Sequence, residues 1–307
     1  MEKLKHLIKM EDMGKRDDIE ALFELSKAIK ENPEKFRNQF AGTGKRIATL
    51  FYEPSTRTRS GFHAAAHELG LGVIDETAES SSCLKGESLE DTIRTFEGYC
   101  DGIVLRHEDT KAGNRATAVA SVPIISAGCG KGEHPPQALL EGFALNEKKG
   151  KIDGLGVAFE GDLKNSRTAH SLIKLLSLYK DITIHCSSVP GLELPKEYVK
   201  LMEERGTSFS QCSPQDIPRD VDAIYMTRVK QELLKNKKHD TQRYFMDQKR
   251  LDTFSKDTLL MHPLPRNAEI PSSVDKDPRA VYFKVARDGV PTKQAILMAT
   301  LQDELSL

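Results

Sequence analysis

The most constraining feature of this 307-residue sequence is an alternation of strand-like and helix-like segments that occurs twice along the chain. In each half, short apolar runs are followed by segments whose apolar residues recur every three or four positions. Alternation of this kind is typical of parallel strands connected by helices. We therefore predict an α/β fold with two open, largely parallel α/β sheet domains joined by helices.

The individual elements follow from these patterns and from the Gly and Pro residues that interrupt them. Strands are predicted at 46–52, 73–74, 102–105, 122–125, 155–159, 182–186, 223–226 and 259–261, and helices at 18–31, 60–69, 88–99, 135–145, 166–179, 196–205 and 292–304. The polar segment 76–86 is predicted to be an exposed loop. A charged break at 147–151 separates the two series of elements. We place a first domain at 1–146, with the C-terminal helix 290–307 packing back on it, and a second domain at 147–289.

The charge and cysteine content exclude several classes of partner and location. The 45 Lys and Arg residues balance 46 Asp and Glu residues, so the net charge of -1 gives no general reason to bind nucleic acid or an anionic membrane. No apolar run reaches the roughly 20 residues of a membrane helix, and the N-terminus does not resemble a secretory signal. The five cysteines show no Cys-x-x-Cys spacing, which favours free thiols and a cytoplasmic location.

The segment Ser55-Thr56-Arg57-Thr58-Arg59 is the strongest candidate for an anion site. It lies where a predicted strand turns into a predicted helix. The N–H groups at a helix N-terminus have no partner within the helix and point outward, and the helix dipole adds positive potential there. Hydroxyl groups and an Arg fork suit phosphate oxygens. An ordinary Ser/Thr helix cap with solvated arginines is the alternative that the segment by itself leaves open.

Three other kinds of site fit the sequence poorly. The segment Gly42-Thr43-Gly44-Lys45 looks like the end of a kinase-type phosphate loop, but such a loop ends in Gly-Lys-Ser/Thr and follows a strand, whereas here Arg46 comes next and a strand begins. A metal site is not predicted, because the histidines and cysteines lack ligand spacing. A serine nucleophile site lacks the Gly-x-Ser-x-Gly elbow.

Further donor groups follow other predicted strands. Arg106-His107 follows the strand 102–105, the segment from Gly132 to Gln137 follows 122–125, and His262-Pro263-Leu264-Pro265-Arg266 follows 259–261. Ligands of open α/β sheets bind at the carboxyl ends of strands. Each of these segments is therefore a candidate for the same kind of site as the segment 55–59, although any one of them alone could be a surface loop.

Taken together, these motifs resemble the aspartate branch of the carbamoyltransferase family. The segment 55–59 is shared by the wider family. The aspartate branch is indicated by Lys85-Gly86-Glu87-Ser88, by Gly161-Asp162-Leu163-Lys164 with Arg167-Thr168-Ala169-His170-Ser171, by Tyr225-Met226-Thr227-Arg228-Val229, and by the segment 262–266. The ornithine branch typically has His-Cys-Leu-Pro at the last place, where this chain has Pro263. The resemblance extends from about Arg46 to the last helix.

The resemblance implies a role for each matching residue. Carbamoyl phosphate would be bound by residues of the first domain and by the backbone carbonyls of Pro263 and Leu264; the residues of the first domain are Ser55, Thr56, Arg57, Thr58, Arg106, His134 and Gln137. Among these, Arg57, Thr58, Arg106 and His134 would be catalytic. Aspartate would be bound in the second domain by Arg167, Arg228 and Lys230, together with Lys85. Ser81 and Lys85 would come from a neighbouring subunit, because members of this family are trimers with shared sites.

The implied reaction is transfer of the carbamoyl group from carbamoyl phosphate to the amine of L-aspartate, a step of pyrimidine biosynthesis. It requires no metal, organic cofactor or covalent intermediate. A regulatory chain or a larger assembly is possible. The alternatives are an ornithine-type or other carbamoyltransferase, and a catalytically silent homologue that binds carbamoyl phosphate.

The chain departs from the family pattern in the aspartate loop. The family usually reads Arg-Val-Gln-Lys-Glu-Arg, whereas this chain reads Arg228-Val229-Lys230-Gln231-Glu232-Leu233. In the family, the Gln contacts aspartate and the final Arg pairs with the Glu that precedes the phosphate segment, which is Glu53 here. We therefore expect Lys230 or Gln231 to contact aspartate, and a Michaelis constant for aspartate above that of relatives with the full pattern.

Overall fold

The computed structural model describes residues 3–229 and 241–302. The chain divides into two compact units. The first unit consists of Met1–Phe143 together with Arg287–Leu307, and the second unit consists of Ala144–Ala286. The divisions fall within two long helices, so each of these helices contributes residues to both units. Lys230, Gln231 and Leu233, which concern the predicted aspartate loop, lie outside the described residues.

The first unit contains a four-stranded parallel sheet with the strand order β2-β1-β3-β4. Its strands are β1 (Arg46–Phe51), β2 (Gly72–Thr77), β3 (Gly102–His107) and β4 (Ile124–Cys129). The central strands are built from buried aliphatic residues, which pack against the flanking helices. The helices are α1 (Arg16–Glu31), α2 (Pro33–Phe36), α3 (Arg57–Glu68), α4 (Leu89–Phe96), α5 (Ala112–Thr117) and α6 (Pro135–Lys149), with 3₁₀ helices at Met10–Met13 and Ser82–Lys85.

The second unit contains a five-stranded parallel sheet with the strand order β7-β6-β5-β8-β9. Its strands are β5 (Gly156–Gly161), β6 (Thr183–Ser188), β7 (Ser208–Gln211), β8 (Ala223–Met226) and β9 (Leu259–Met261). The helices are α7 (Arg167–Leu176), α8 (Lys196–Glu204) and α9 (Gln248–Leu251), with 3₁₀ helices at Thr241–Tyr244 and Ser272–Lys276. Helix α10 (Tyr282–Leu301) begins in this unit, and its residues from Arg287 onward belong to the first unit.

The predicted fold class, two parallel α/β sheets with helices, is confirmed. Several local predictions were incomplete. Strand β7 and helices α2, α5 and α9 were not predicted, since β7 is short and polar and each of these helices has no more than six residues. Helix α10 begins at Tyr282 and continues through Pro291, whereas the prediction started it after this proline. Among the described residues, no helix is both long and apolar enough to cross a membrane.

The segment predicted to be an exposed loop at 76–86 is only partly so. Its first residues extend β2, and the 3₁₀ helix Ser82–Lys85 occupies most of its end. Ser81 is buried, with its Oγ accepting a hydrogen bond from the N–H of Cys83 at 3.2 Å. The capping bond made by Ser81 therefore orders a segment that its polar composition suggested would be open.

Candidate active site

The predicted phosphate segment lies at the carboxyl end of β1, in the centre of the first sheet. β1 ends at Phe51, and α3 begins at Arg57 with Thr56 as its N-cap. Because every strand of this sheet is parallel, the residues that follow β1, β3 and β4 emerge at the same edge. Arg106 is paired in register with Phe51, so β3 brings its side chain beside the start of the phosphate segment.

The two arginines of the phosphate segment have different environments. Arg59 forms a two-point ion pair with Asp75 of β2, one bond of which measures 2.8 Å from Nε to Oδ1, and this hydrogen bonding raises the pKa of Arg59. Asp75 also accepts a hydrogen bond from the hydroxyl of Thr49 at 2.6 Å. The side chain of Arg57 makes no hydrogen bond or ion pair with any residue of 3–229 or 241–302, and desolvation alone lowers its pKa. Arg57 is therefore the arginine of this segment whose charge is available to an anion.

A second contact joins the starts of α3 and α6. Thr58 and His134 are both buried, and Thr58 Oγ1 lies 3.2 Å from His134 Nε2. His134 directly precedes α6, which follows β4 in the chain. The contact fixes two of the predicted catalytic residues against each other at the strand-end edge of the sheet.

Arg106 is held by groups on both sides of its own strand. Its Nη1 donates to the carbonyl of Ala127 on β4 at 3.3 Å, and its Nε lies 3.5 Å from Glu53 Oε2. Glu53 comes two residues after the end of β1. The guanidinium of Arg106 thus spans the ends of three neighbouring strands, where it can donate to an oxygen of a bound molecule.

Gln137 lies in the first turn of α6, three residues after His134. Its Nε2 donates to Oε1 of the buried Glu141 at 2.7 Å. The nitrogen end of this amide is therefore committed to its own helix. Gln137 and Glu141 are four residues apart in a helix that the sequence predicted, so this spacing could have identified Glu141.

The second unit places the predicted aspartate-binding arginines after neighbouring strands. β5 pairs with β8, with Glu160 opposite Met226. Arg167 opens α7, the helix that follows β5, and Arg228 comes two residues after β8. Both arginines are half-buried. Their positions concentrate positive charge at the carboxyl edge of the second sheet, as an anionic ligand requires.

The turn between β5 and α7 is shaped by a close approach of the backbone. Gly161 has φ +114°, and a Cβ at this position would lie 2.6 Å from Thr227 Oγ1. The Thr227 hydroxyl donates to the carbonyl of Glu160 at 3.0 Å. Asp162 then accepts hydrogen bonds from both the backbone and the side chain of Asn165. Only glycine fits this crossing, which positions the start of α7.

The turn after β9 is organised around the buried pair of His262 and Glu269. His262 Nδ1 accepts from the N–H of Leu264 at 2.8 Å, so its Nε2 carries the proton and donates to Glu269 Oε1 at 3.0 Å. Glu269 also accepts from the N–H of Asn267 at 2.8 Å. Leu264 has a left-handed φ of +57°. Backbone held in such a conformation by surrounding contacts is common at ligand sites, and this turn carries the predicted carbonyls of Pro263 and Leu264.

The same turn is linked to Arg228. With its amide in the orientation that satisfies both ends, Asn267 accepts from Arg228 Nε at 3.0 Å and donates to the carbonyl of Arg266 at 3.1 Å. Arg266 itself pairs with Asp275 and with the Tyr282 hydroxyl. Sequence reasoning missed Asn267 and Glu269, since neither lies in a helical or alternating pattern that would indicate its partner.

The remaining predicted site residues lie on the segment between β2 and α4. Ser81 Oγ is 3.5 Å from the Tyr52 hydroxyl, so within its own chain this serine is turned inward. Lys85 is exposed. The predicted contribution of these two residues to a neighbouring subunit stays a prediction.

Comparisons with known proteins agree with this arrangement. Residues 5–147 match the model of the aspartate/ornithine carbamoyltransferase carbamoyl-P binding domain, and residues 153–300 match that of the Asp/Orn binding domain. The aspartate carbamoyltransferase catalytic subunit of Methanocaldococcus jannaschii is 41% identical over 98% of this chain and 99% of its own length. Aspartate carbamoyltransferase 1 of Pisum sativum, a chloroplastic protein, is 38% identical over 93% of this chain and 76% of its own length.

Solved structures of aspartate transcarbamoylases are similar to this chain over nearly its whole length. Aspartate transcarbamoylase from Trypanosoma cruzi in complex with carbamoyl phosphate has a TM-score of 0.90 at 34% identity, over 98% of this chain and 97% of that chain. The catalytic subunit of M. jannaschii aspartate transcarbamoylase has a TM-score of 0.87 at 39% identity, over 95% of this chain and 96% of that chain.

Proposed function

The chain belongs to the aspartate/ornithine carbamoyltransferase family, and on that premise we propose that it transfers the carbamoyl group of carbamoyl phosphate to the amine of L-aspartate. The products are N-carbamoyl-L-aspartate and phosphate. The observation that best supports carbamoyl phosphate as the donor is the guanidinium of Arg57. It lies at the N-terminus of α3 and has no partner among the described residues. An uncommitted cation at a helix N-terminus suits a phosphate group.

The proposed mechanism assigns each donor to a developing charge. The aspartate amine attacks the carbamoyl carbon, and negative charge grows on the carbonyl oxygen. Arg106, His134 and Thr58 stabilise that oxygen, as an oxyanion site does. The C–O bond to phosphate then breaks, the former amine nitrogen gives up a proton to the leaving phosphate, and Arg57 with Ser55 and Thr56 stabilises that phosphate.

The carbamoyl NH2 group and the acceptor are assigned to other residues. Gln137 and the carbonyls of Pro263 and Leu264 accept from the NH2 group. Arg167 and Arg228 bind the two carboxylates of aspartate, with Lys85 and Lys230 as further contacts. Holding the amine next to the carbonyl supplies much of the remaining acceleration.

Aspartate is favoured over ornithine by the charge of the second unit. Arg167 and Arg228 both follow the central strands of its sheet. Two guanidinium groups attract a dicarboxylate, whereas they repel the side-chain ammonium of ornithine. We therefore propose the aspartate reaction and treat ornithine-type activity as the second candidate.

One assay separates the candidates. The protein is mixed with carbamoyl phosphate and either aspartate or ornithine, and phosphate and the carbamoylated amino acid are measured. We expect turnover with aspartate alone. Turnover with ornithine alone would assign the chain to the sister branch, and no turnover with either amino acid would indicate a silent carbamoyl-phosphate-binding homologue.

We further propose that the chain forms a homotrimer in which Ser81 and Lys85 complete the site of the neighbouring subunit. The exposure of Lys85 is compatible with this role. Light scattering coupled to size exclusion should then give three times the 34.2 kDa chain mass. A cytoplasmic location and a role in pyrimidine biosynthesis are proposed with the same activity.

A further inference from the structure

Glu141 is a buried acidic residue that the proposed reaction does not use directly. It is 1% exposed and lies one helical turn after Gln137 on α6. Its Oε1 accepts from Gln137 Nε2 at 2.7 Å. A buried carboxyl group is costly unless it is hydrogen-bonded, and Gln137 supplies one such bond to Glu141. The same bond restricts how Gln137 can bind a ligand.

The amide of Gln137 and the carboxylate of Glu141 differ in the hydrogen bonds that they can make. A glutamine amide has a donating NH2 end and an accepting carbonyl end, whereas a carboxylate only accepts. The bond to Glu141 therefore fixes which end of Gln137 is used internally. No residue of 3–229 or 241–302 donates a hydrogen bond to Gln137 Oε1, so the accepting end is left for a ligand.

The accepting end of Gln137 belongs to the first turn of α6, next to His134. Gln137 follows His134 by less than one turn, and the N–H of Gln137 donates to the carbonyl of His134 at 3.0 Å. His134 contacts Thr58 at the start of α3. The acceptor therefore belongs to the same strand-end edge as the donors that are proposed to hold the phosphate and the carbonyl oxygen.

We infer that Glu141 is a positioning residue that makes the site selective for a donor carrying an NH2 group. By holding Gln137 as an acceptor, it favours a carbamoyl group over an acyl group in which CH3 replaces NH2. Such a methyl group would leave the Gln137 carbonyl without a hydrogen bond, which is the kind of mismatch that sites reject strongly. This inference rests on the proposed function and concerns the choice of donor.

Two unreactive ligands of nearly equal shape test it directly. Phosphonoacetamide carries the NH2 group and 2-oxopropylphosphonate carries CH3 in its place. Calorimetry on the full chain gives the ratio of their dissociation constants without any need for aspartate or turnover. We expect the wild-type protein to prefer the amide by roughly 10-fold or more.

The informative variant is Glu141→Gln. Because the introduced amide can either donate or accept, it no longer fixes the orientation of Gln137, and the preference should fall several-fold. Glu141→Asp keeps a buried carboxyl group but withdraws it by one methylene group, so it should also reduce the preference. Glu141→Asp is the variant to be measured if Glu141→Gln does not fold. Glu147→Gln removes a charge from an exposed position of the same helix and should leave the preference unchanged.

An exchange of the two groups provides a rescue. In the double variant Gln137→Glu with Glu141→Gln, the carboxylate at position 137 accepts both from the amide at position 141 and from the ligand, so the preference for the amide ligand should return. An unchanged preference in folded Glu141→Gln or Glu141→Asp would overturn the inference, as would an exchange variant that lacks the preference. Failure of the proposed function is separate, because it would appear as wild-type protein without carbamoyl transfer.

Discussion

At the scale of single residues, the same side chain type serves two purposes within three positions. Arg57 and Arg59 belong to one short motif, yet only Arg59 has a carboxylate partner among the described residues. Asp75 reaches Arg59 because β2 lies beside β1 at the edge of the sheet. The ion pair anchors the first turn of α3 to the sheet and leaves Arg57 for the substrate.

This difference predicts contrasting effects of two substitutions. Arg57→Met should reduce kcat/KM by about 100-fold to 1,000-fold, since it removes a charged donor from the leaving phosphate. Arg59→Met should change kcat/KM only a few-fold and lower stability by no more than about 1 kcal/mol, because partly exposed ion pairs contribute little. Steady-state kinetics and thermal melts of both variants provide the measurement. A loss of activity in Arg59→Met as large as in Arg57→Met would contradict this division of roles.

At the scale of elements, the turn after β9 behaves as one hydrogen-bonded unit. Glu269 accepts from the His262 ring and from the N–H of Asn267, and His262 accepts from the N–H of Leu264. Burial raises the pKa of Glu269, but the hydrogen bonds from His262 and Asn267 outweigh it and lower the pKa overall. At pH values above the ordinary pKa of a glutamate, the ionised Glu269 therefore stabilises the folded turn. This contribution is lost as the pH falls through the lowered pKa of Glu269 in the folded chain.

The contact between this turn and Arg228 predicts a specific kinetic effect. Asn267→Ala removes the acceptor that orients the Arg228 guanidinium. The Michaelis constant for aspartate should rise about threefold to tenfold, as expected for a single partly solvated hydrogen bond. Asn267→Asp is the matched control, since its carboxylate still accepts from Arg228. Equal Michaelis constants in Asn267→Ala and in the wild-type protein would show that the contact does not orient Arg228 for binding.

At the scale of the whole molecule, the packing of α10 in the first unit encloses a lysine. Lys293 is 4% exposed and its ammonium donates to the carbonyl of Gly289 at 3.2 Å. A Cβ at Gly61 of α3 would lie 2.8 Å from Lys293 Cε, so the absence of a side chain there makes room for the lysine. Burial lowers the pKa of Lys293 to about 8.

The lowered pKa of Lys293 makes the stability of the folded chain depend on pH. Between about pH 8 and the ordinary lysine value, the unfolded chain binds more protons than the folded chain, so the contribution of Lys293 to stability rises with pH. Lys293→Met should be more stable than the wild-type protein by on the order of 3 kcal/mol at pH 7, and this advantage should be roughly halved near pH 9.5. Thermal melts of both proteins at the two pH values test this. An advantage that is the same at both would rule out titration of Lys293 as its source.

The sequence by itself determined the fold class, the two series of strands and helices, and the segments that carry polar chemistry. Hydrophobic periodicity is a local property, and in parallel sheets the carboxyl ends of strands share one edge, so Ser55 to Thr58, Arg106 and His134 could be expected to lie near one another. Only the tertiary structure decided which partner each side chain takes. Asp75 is bound to Arg59 rather than Arg57, and Asn267 is bound to Arg228, because such pairings depend on strand order and side-chain geometry that no spacing along the chain encodes. The short polar strand β7 was missed for a related reason, since it is stabilised by its pairing with β6 rather than by a pattern of its own.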